Sequence, residues 1–378
     1  MISTNRPMDA LLERLHAAAQ RVGREVKLME VCGTHTMSAF RSGLHALVPE
    51  NVTLLSGPGC PVCVTAQGDI ERMIGIAGVN GVTVCTYGDM MRVPGRMGSL
   101  EAARCHGARV EVIYSALDAV RLAEREPESR VVLAAVGFET TTPATAAAVL
   151  EAERLGLDNF SVMASHKLVI PAINALLENW GGEPTGVEGF LCPGHASVII
   201  GGDAYKPVIE KYGVPCVIGG FEPELMAEGM AALVEQIESG EARLENLYPE
   251  AVTDSGNTVA RALIDRVFEV ADVRWRGVGV IPASGLAVRE SYAKYDAARV
   301  YGLEEVEDRE PAGCICGQVI AGLAKPDACR LFGTACTPVR PIGPCMVSGE
   351  GTCQAWFKYQ RPAIASRKRV GEERVATP

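Results

Sequence analysis

Residues 130–143 read "RVVLAAVGFETTTP". From Arg130 to Phe138 the run is apolar without alternation, the pattern of a strand buried on both faces of its sheet. Pro143 then opens a helical pattern over 143–155, and proline suits the first turn of a helix. The same alternation recurs in both directions along the chain. Candidate strands "VKLMEV" (26–31), "VTLLS" (52–56), "VTVC" (82–85) and "RVEVIYS" (109–115) precede it. "FSVMA" (160–164), "EGFLC" (188–192) and "VPCVIGGF" (214–221) follow it. Helical patterns over 67–77, 166–178 and 222–239 lie between them. Strands alternating with helices predict an α/β fold with parallel sheets and helices on both faces.

The strands fall into two sets of similar size. They predict two related parallel-sheet α/β domains, 25–128 and 129–235, around a central cleft. "LLSGPGCPVC" is echoed by "FLCPGHAS", and "GFETT" (137–141) by "GFEPE" (220–224). Both echoes fall at strand ends, where loops of open α/β sheets line the functional crevice. The stretch "MDALLERLHAAAQRV" places Leu11, Leu12, Leu15 and Val22 on one face and reads as a core-facing helix. After about residue 240 the texture changes to a helical "GNTVARALIDRVFEV" (256–270), an apolar "RGVGVIPASGLAV" (276–288) and a Pro/Gly/Cys-rich segment (311–353). A smaller, mainly helical third domain, 1–24 with 236–360, is expected from it. Residues 361–378 read as a flexible polar tail.

A net charge of −10 argues against a nucleic-acid partner, because phosphate neutralisation needs a concentrated basic face. The one dense basic run, Arg367-Lys368-Arg369, sits in the polar tail. No apolar run reaches the length of a membrane span, and no basic-then-apolar leader opens the chain. A cytoplasmic protein is expected. Its 13 cysteines are then informative: in a reducing compartment an odd number of thiols points to metal or redox work rather than a disulfide framework. Cys85, Cys105 and Cys216 stand in apolar strand-like or helical context and read as small buried hydrophobes.

Six cysteines crowd the C-terminal segment: Cys314, Cys316, Cys329, Cys336, Cys345 and Cys353. The tight paired knuckles of a zinc site are missing. Longer, loop-like spacing with Gly and Pro between the thiols suits a [4Fe–4S] cluster, with zinc and disulfides as competitors. A cube takes four thiolates, which leaves two as a neighbouring dithiol. In "CGTH" (Cys32 to His35), a strand ends at Val31 and a helix begins near Thr34. The helix N-terminus is expected to lower the Cys32 pKa, and Cys32 and His35 fall on one turn where both can face one metal ion. "GPGCPVC" sets Cys60 and Cys63 as a C-x-x-C, compatible with a reducible disulfide, a metal knuckle or thioredoxin-like chemistry. Among the polar loops, Glu139, His166 and His195 are site candidates. Thr140 and Thr141 can cap the helix opened by Pro143, and Asp89 can pair with Arg92.

Taken together, "MEVCGTHT", "GPGCPVCV", "TYGDMMRVPG", "GFETTTP", "PGHASVIIG", "GFEP" and "CGQVIAGLAKPDACRLFG...CMVSGEGTC" resemble the HypD family of [NiFe]-hydrogenase maturation factors, from about residue 28 to 359. The resemblance implies a scaffold that, with the small chaperone HypC, carries Fe(II) while the Fe(CN)₂CO unit is built on it. HypE with HypF would supply cyanide, and the hydrogenase large subunit would receive the product. It implies Cys32 as the iron-binding thiol with His35 beside it, and Cys60 and Cys63 as the redox pair of the cleft. It implies Cys316, Cys329, Cys336 and Cys353 as [4Fe–4S] ligands, with Cys314 and Cys345 as the extra pair exchanging electrons with the cluster. Glu139 and His195 join the cleft as candidate catalytic residues. A free-standing thiol–disulfide oxidoreductase of ferredoxin–thioredoxin reductase type is the alternative.

Overall fold

The structure, a computed structural model, describes residues 8–179, 182 and 184–359. The expected tail, 361–378, lies outside the described residues. Among the described residues, eleven strands form two sheets. In chain order they are β1 (Val26–Glu30), β2 (Val52–Ser56), β3 (Val82–Thr86), β4 (Arg109–Val112), β5 (Arg130–Gly137) and β6 (Phe160–Lys167). Then come β7 (Gly189–Pro193), β8 (Cys216–Gly219), β9 (Leu244–Asn246), β10 (Phe268–Trp275) and β11 (Gly279–Val288). One sheet has the order β2-β1-β7-β8-β9, the other β10-β11-β6-β5-β3-β4. Every pairing is parallel except those made by β11, which runs antiparallel to β6 and to β10. The fold is α/β, as the buried apolar strands predict. Val131 to Val136 of β5 are all buried, because helices cover both faces of the sheet.

The sheets cut across the expected division at residues 128 and 129. The chain lays down β1 and β2, crosses to the second sheet for β3 to β6, and returns for β7 to β9. Apolar runs specify which residues form strands; partners in a parallel sheet are chosen by tertiary packing, which a local pattern does not contain. Both sequence echoes read differently in this light. The GPGCPVC and PGHAS loops leave neighbouring parts of one sheet, whereas GFETT leaves the other.

Three further boundaries move. The helix Met8–Val22 belongs with the five-stranded sheet, since Leu11, Leu15, Ala18 and Ala19 share a core with Leu28, Met226 and Met230. Arg14 holds it there through two hydrogen bonds to Glu235, of 2.7 and 2.5 Å. The region 236–360 is not mainly helical: β9 closes one sheet, and the helix Thr258–Val267 passes straight into the β10–β11 hairpin, which extends the other. Only the segment after about residue 303 has the expected texture, with short helices such as Cys316–Ile320 and Thr352–Tyr359. The helix expected over 166–178 starts at Val169, because β6 is paired with β5 through His166 and with β11 through Lys167. Among the described residues, no helix is long and apolar enough to cross a membrane.

Candidate functional site

Cys32 follows β1 and is the N-cap of the helix Gly33–Ser42. Glu30, at the end of the same strand, is fully buried and accepts a hydrogen bond from the Cys32 amide at 3.2 Å and another from the Thr36 hydroxyl. Burial pushes the Glu30 carboxyl up to about 8, against the opposing hydrogen bonds of Thr36 and Ser56. The same burial reverses the expectation for Cys32. Its thiol is pushed up to about 12, with the charges of Glu350 and Glu30 adding to desolvation and the His35 and Thr34 amides opposing it. At this helix start, desolvation and two carboxylates outweigh the unpaired amides.

His35 lies on the first turn of that helix and is 0% exposed. Its Nε2 is 2.9 Å from the Gly220 carbonyl, an acceptor only, so Nε2 carries the proton and donates. Burial drops its pKa to about 4, so the ring is neutral. Nδ1 is thereby left as a buried lone pair without a partner among the described residues. A neutral imidazole fixed in one tautomer by a carbonyl is the form that binds metal.

The Gly57–Cys63 loop leaves β2 beside Cys32. Gly59 touches it without a side chain between: a Cβ there would sit 2.4 Å from the Cys32 Cα. Cys60 and Cys63 form a disulfide with Cα atoms 5.2 Å apart, and the Cys63 amide donates to the Cys60 sulfur. Both are buried. Across the sheet, Phe221 after β8 lies 5.0 Å from the His35 ring and stacks on the exposed His195 ring at 4.1 Å. The C-terminal edge of one sheet therefore gathers Cys32, His35, Cys60, Cys63 and His195.

A groove of about 580 Å³ runs between this loop cluster and the loops of the other sheet, lined by Pro61, Val62, Tyr87, Asp89, Thr140, Thr141 and Glu350 among others. Asp89 and Arg92 do not pair. Asp89 accepts from the Ser348 hydroxyl and the Gly349 amide, at 2.9 and 3.3 Å, and Arg92 donates to the Pro338 carbonyl. Both anchor the C-terminal segment. Thr141 is the N-cap of the helix Thr142–Leu155 but makes no side-chain capping bond. Glu139 is buried and accepts from the Val169 amide at 2.9 Å; its second oxygen has no partner among the described residues, and burial lifts it to about 7. His166 does not join the cleft. It bonds Thr145 and lines a separate pocket with Asp69, Arg72 and Lys167.

All six C-terminal cysteines line one pocket, with Val319, Leu331, Phe332 and Met346 as its apolar wall. Side-chain hydrogen bonds run from Cys314 to Cys316, on to Cys345 and then to Cys353. The Cys314 thiol is raised first by its bond to Cys316 and then by burial. The Ile342 amide donates to the Cys336 sulfur at 3.3 Å. Soft donors on Gly/Pro-rich loops, with an amide directed at sulfur, are the donor chemistry of an iron–sulfur cluster. Among the described residues, no group of three or more His, Cys, Asp or Glu is arranged around a single metal ion. Cys32 and His35 are thus not joined by a third such side chain in one cluster.

Four residues that the sequence motifs did not single out complete the surroundings. Glu30 and Glu350 set the charge around Cys32, Phe221 links two histidines, and Arg276 is buried between Gln67 and the cysteine pocket. Glu30 carried a legible signal: an acid inside an apolar strand, directly before the Val-Cys of the loop. Arg276 opens a stretch that reads as merely apolar.

Comparison with known proteins identifies the family. The family model HypD, described as "Hydrogenase formation hypA family", matches residues 6–360. The chain is 46% identical over 351 residues to the hydrogenase maturation factor HypD of Azotobacter vinelandii, covering 91% of this chain and 92% of that one. It is 43% identical to HypD of Cupriavidus necator, over 91% and 92% of the two chains. It is 40% identical to HypD of Escherichia coli K12, over 94% of each. The chain belongs to the HypD family of hydrogenase maturation factors.

Proposed function

We propose that the chain is the scaffold on which, together with HypC, iron is held while the Fe(CN)₂CO unit of a [NiFe]-hydrogenase is assembled. The observation that carries this reading is the contact of Gly59 with the Cys32 backbone, which sets the Cys60–Cys63 disulfide beside a Cys–His pair. Iron is the cargo. Cys32 supplies a soft thiolate and His35 its free Nδ1; cyanide, carbon monoxide and the partner supply the remaining ligands. Binding iron draws the proton from Cys32, and the desolvated pocket that resists a free thiolate favours one neutralised by a cation. His195, at the exposed side of Phe221, and Glu139, in the interior near the groove, are the candidate proton-handling groups. Reduction of the Cys60–Cys63 disulfide would free two further thiols at the same loop.

Cys316, Cys329, Cys336 and Cys353 would hold a [4Fe–4S] cluster, with Cys314 and Cys345 as the adjacent pair. Such a cluster, when bound, supplies single-electron redox chemistry next to the thiols. The partners expected on this reading are HypC, the cyanide donor HypE with HypF, and the hydrogenase large subunit reached through HypC.

The test is the infrared spectrum of the chain purified anaerobically with HypC from cells able to mature hydrogenase. Bands in the CN and CO stretching region that vanish in Cys32→Ser are expected. A thiol–disulfide oxidoreductase would show no such bands and would be indifferent to Cys32. A serine scan adds the second arm. Serine at Cys316, Cys329, Cys336 or Cys353 should abolish the cluster's visible absorption, whereas serine at Cys314 and Cys345 should leave it and impair maturation.

A further inference from the structure

Arg276 is a charged side chain in the protein's interior, 1% exposed. Its backbone amide donates to the Val64 carbonyl at 3.0 Å, its Nε to the Thr65 carbonyl at 3.0 Å and its Nη2 to Gln67 Oε1 at 2.9 Å. All three acceptors stand at the end of the short helix that carries Cys63, or just past it. Arg276 therefore pins the exit of the Cys60–Cys63 loop. Its remaining nitrogen, Nη1, is buried with no hydrogen-bond partner among the described residues.

On its other side the chain meets the cysteine pocket. Gly277 and Gly317 touch backbone to backbone: a Cβ on Gly277 would lie 2.3 Å from the Gly317 Cα. Gly317 directly follows Cys316, so Arg276 and Cys316 flank a contact that admits no side chain. The same Cβ position on Gly277 lies 3.4 Å from Glu310 Oε1, so a carboxyl stands beside this contact too. Among the described residues Glu310 forms no ion pair with Arg276, and one of its oxygens is itself buried without a partner. A buried guanidinium that lacks an ion pair is costly and calls for an anion nearby. The groups across that contact able to carry negative charge are Glu310 and the C-terminal thiols, and only the thiols come as a set that shares one pocket.

We propose that Arg276 is the counter-charge of the cysteine pocket and a positioning residue for the Cys60–Cys63 loop. In the first role it raises the potential at which an iron–sulfur cluster held by those cysteines accepts an electron. The inference rests on the cluster assignment made above. Its physical basis is that a fixed positive charge stabilises the more negative, reduced state, and does so strongly where water is excluded.

The experiment is a redox titration, followed by visible absorption and electron paramagnetic resonance, of the full chain reconstituted anaerobically with iron and sulfide. Arg276→Gln should bind the cluster with a lower midpoint potential. Arg276→Lys keeps the charge and should stay near the parent, whereas a merely structural role would move both variants alike. If Arg276→Gln does not fold, the double variant Arg276→Lys with Glu310→Gln decides the matter: its potential should lie above that of Glu310→Gln combined with Arg276→Met, and equal potentials overturn the inference. Loaded variants with the parent's potential overturn the inference alone. A parent chain that takes up no cluster overturns both the inference and the assignment on which it rests.

Discussion

The Thr34 hydroxyl donates to Glu350 Oε1 at 2.7 Å. That bond joins the helix capped by Cys32 to the C-terminal segment, three residues before Cys353. A Cβ on Gly33 would lie 2.5 Å from the Glu350 Cβ, so the two segments are in close contact there as well. One carboxylate thus touches the candidate iron site while belonging to the strand of chain that forms the thiol pocket.

Glu350→Gln keeps an acceptor for Thr34 and removes the charge. Because Glu350 helps hold the Cys32 thiol high, its neutralisation should lower the Cys32 pKa. The rate of Cys32 alkylation, measured against pH and located by mass spectrometry, should rise at a lower pH than in the parent. An unchanged profile would show that Glu350 does not act on Cys32 through its charge.

Glu30 and His35 shape the stability of the fold in opposite directions with pH. The Glu30 carboxyl is raised from an ordinary 4.5 to about 8. Its contribution is fully present below 4.5 and is lost as pH climbs through 8, on the order of 5 kcal/mol at about 1.4 kcal/mol per unit. His35 is lowered from 6.5 to about 4, so stability falls as pH drops through that window, by about 3 kcal/mol. Glu30→Gln mimics the protonated acid and should flatten the slope between pH 5 and 8 while leaving the acid limb intact. Urea unfolding at stepped pH reads this directly; an unaltered slope would place the Glu30 charge elsewhere than proposed.

The strands and the loop cluster were legible in the sequence because both have local signatures. Uninterrupted apolar runs mark buried parallel strands, and Gly-Pro-Gly before Cys60 marks close backbone approach. Partnership between the sheets was not legible. Val26 pairs with Val52, whereas Leu28 pairs with Gly189, far away in sequence, and no local pattern distinguishes those two events. Electrostatics were misread for the same reason. The helix start after Cys32 and the nearby Glu30 are visible in the sequence, but the burial and the approach of Glu350 that raise its thiol come from tertiary packing. Arg276 was invisible because its acceptors are backbone carbonyls and an amide more than 200 residues earlier.

Asp89 should be the latch of the C-terminal segment. Its Oδ2 takes both the Ser348 hydroxyl and the Gly349 amide, and Asp89→Ala leaves both without it. The expected cost is about 1–3 kcal/mol. Hydrogen exchange should quicken across residues 345–353 while β5 stays protected, since β5 lies in a sheet core that Asp89 does not touch. Exchange that quickened equally in both regions would mean global destabilisation rather than release of a latch.

Gly59→Ala tests whether the Gly-Pro-Gly floor holds the two thiol sites together. The added methyl would meet the Cys32 nitrogen and Cα at 2.4 Å and its carbonyl carbon at 2.6 Å. These are backbone atoms, which cannot rotate aside as a side chain can. Either β1's exit or the Cys60 loop must therefore shift, at a cost of about 3 kcal/mol or more. Gly75→Ala is the control, because nothing lies within 4 Å of its Cβ position in the helix Gln67–Ala77, and helical alanine should be neutral or stabilising by about 0.5–1 kcal/mol. The parent and Gly75→Ala should retain a Cys32 that alkylates slowly. Gly59→Ala should expose Cys32 and lower the unfolding midpoint together. A Gly59→Ala chain as stable as the parent, with Cys32 still protected, would show that the loop and the helix start are not in the contact described.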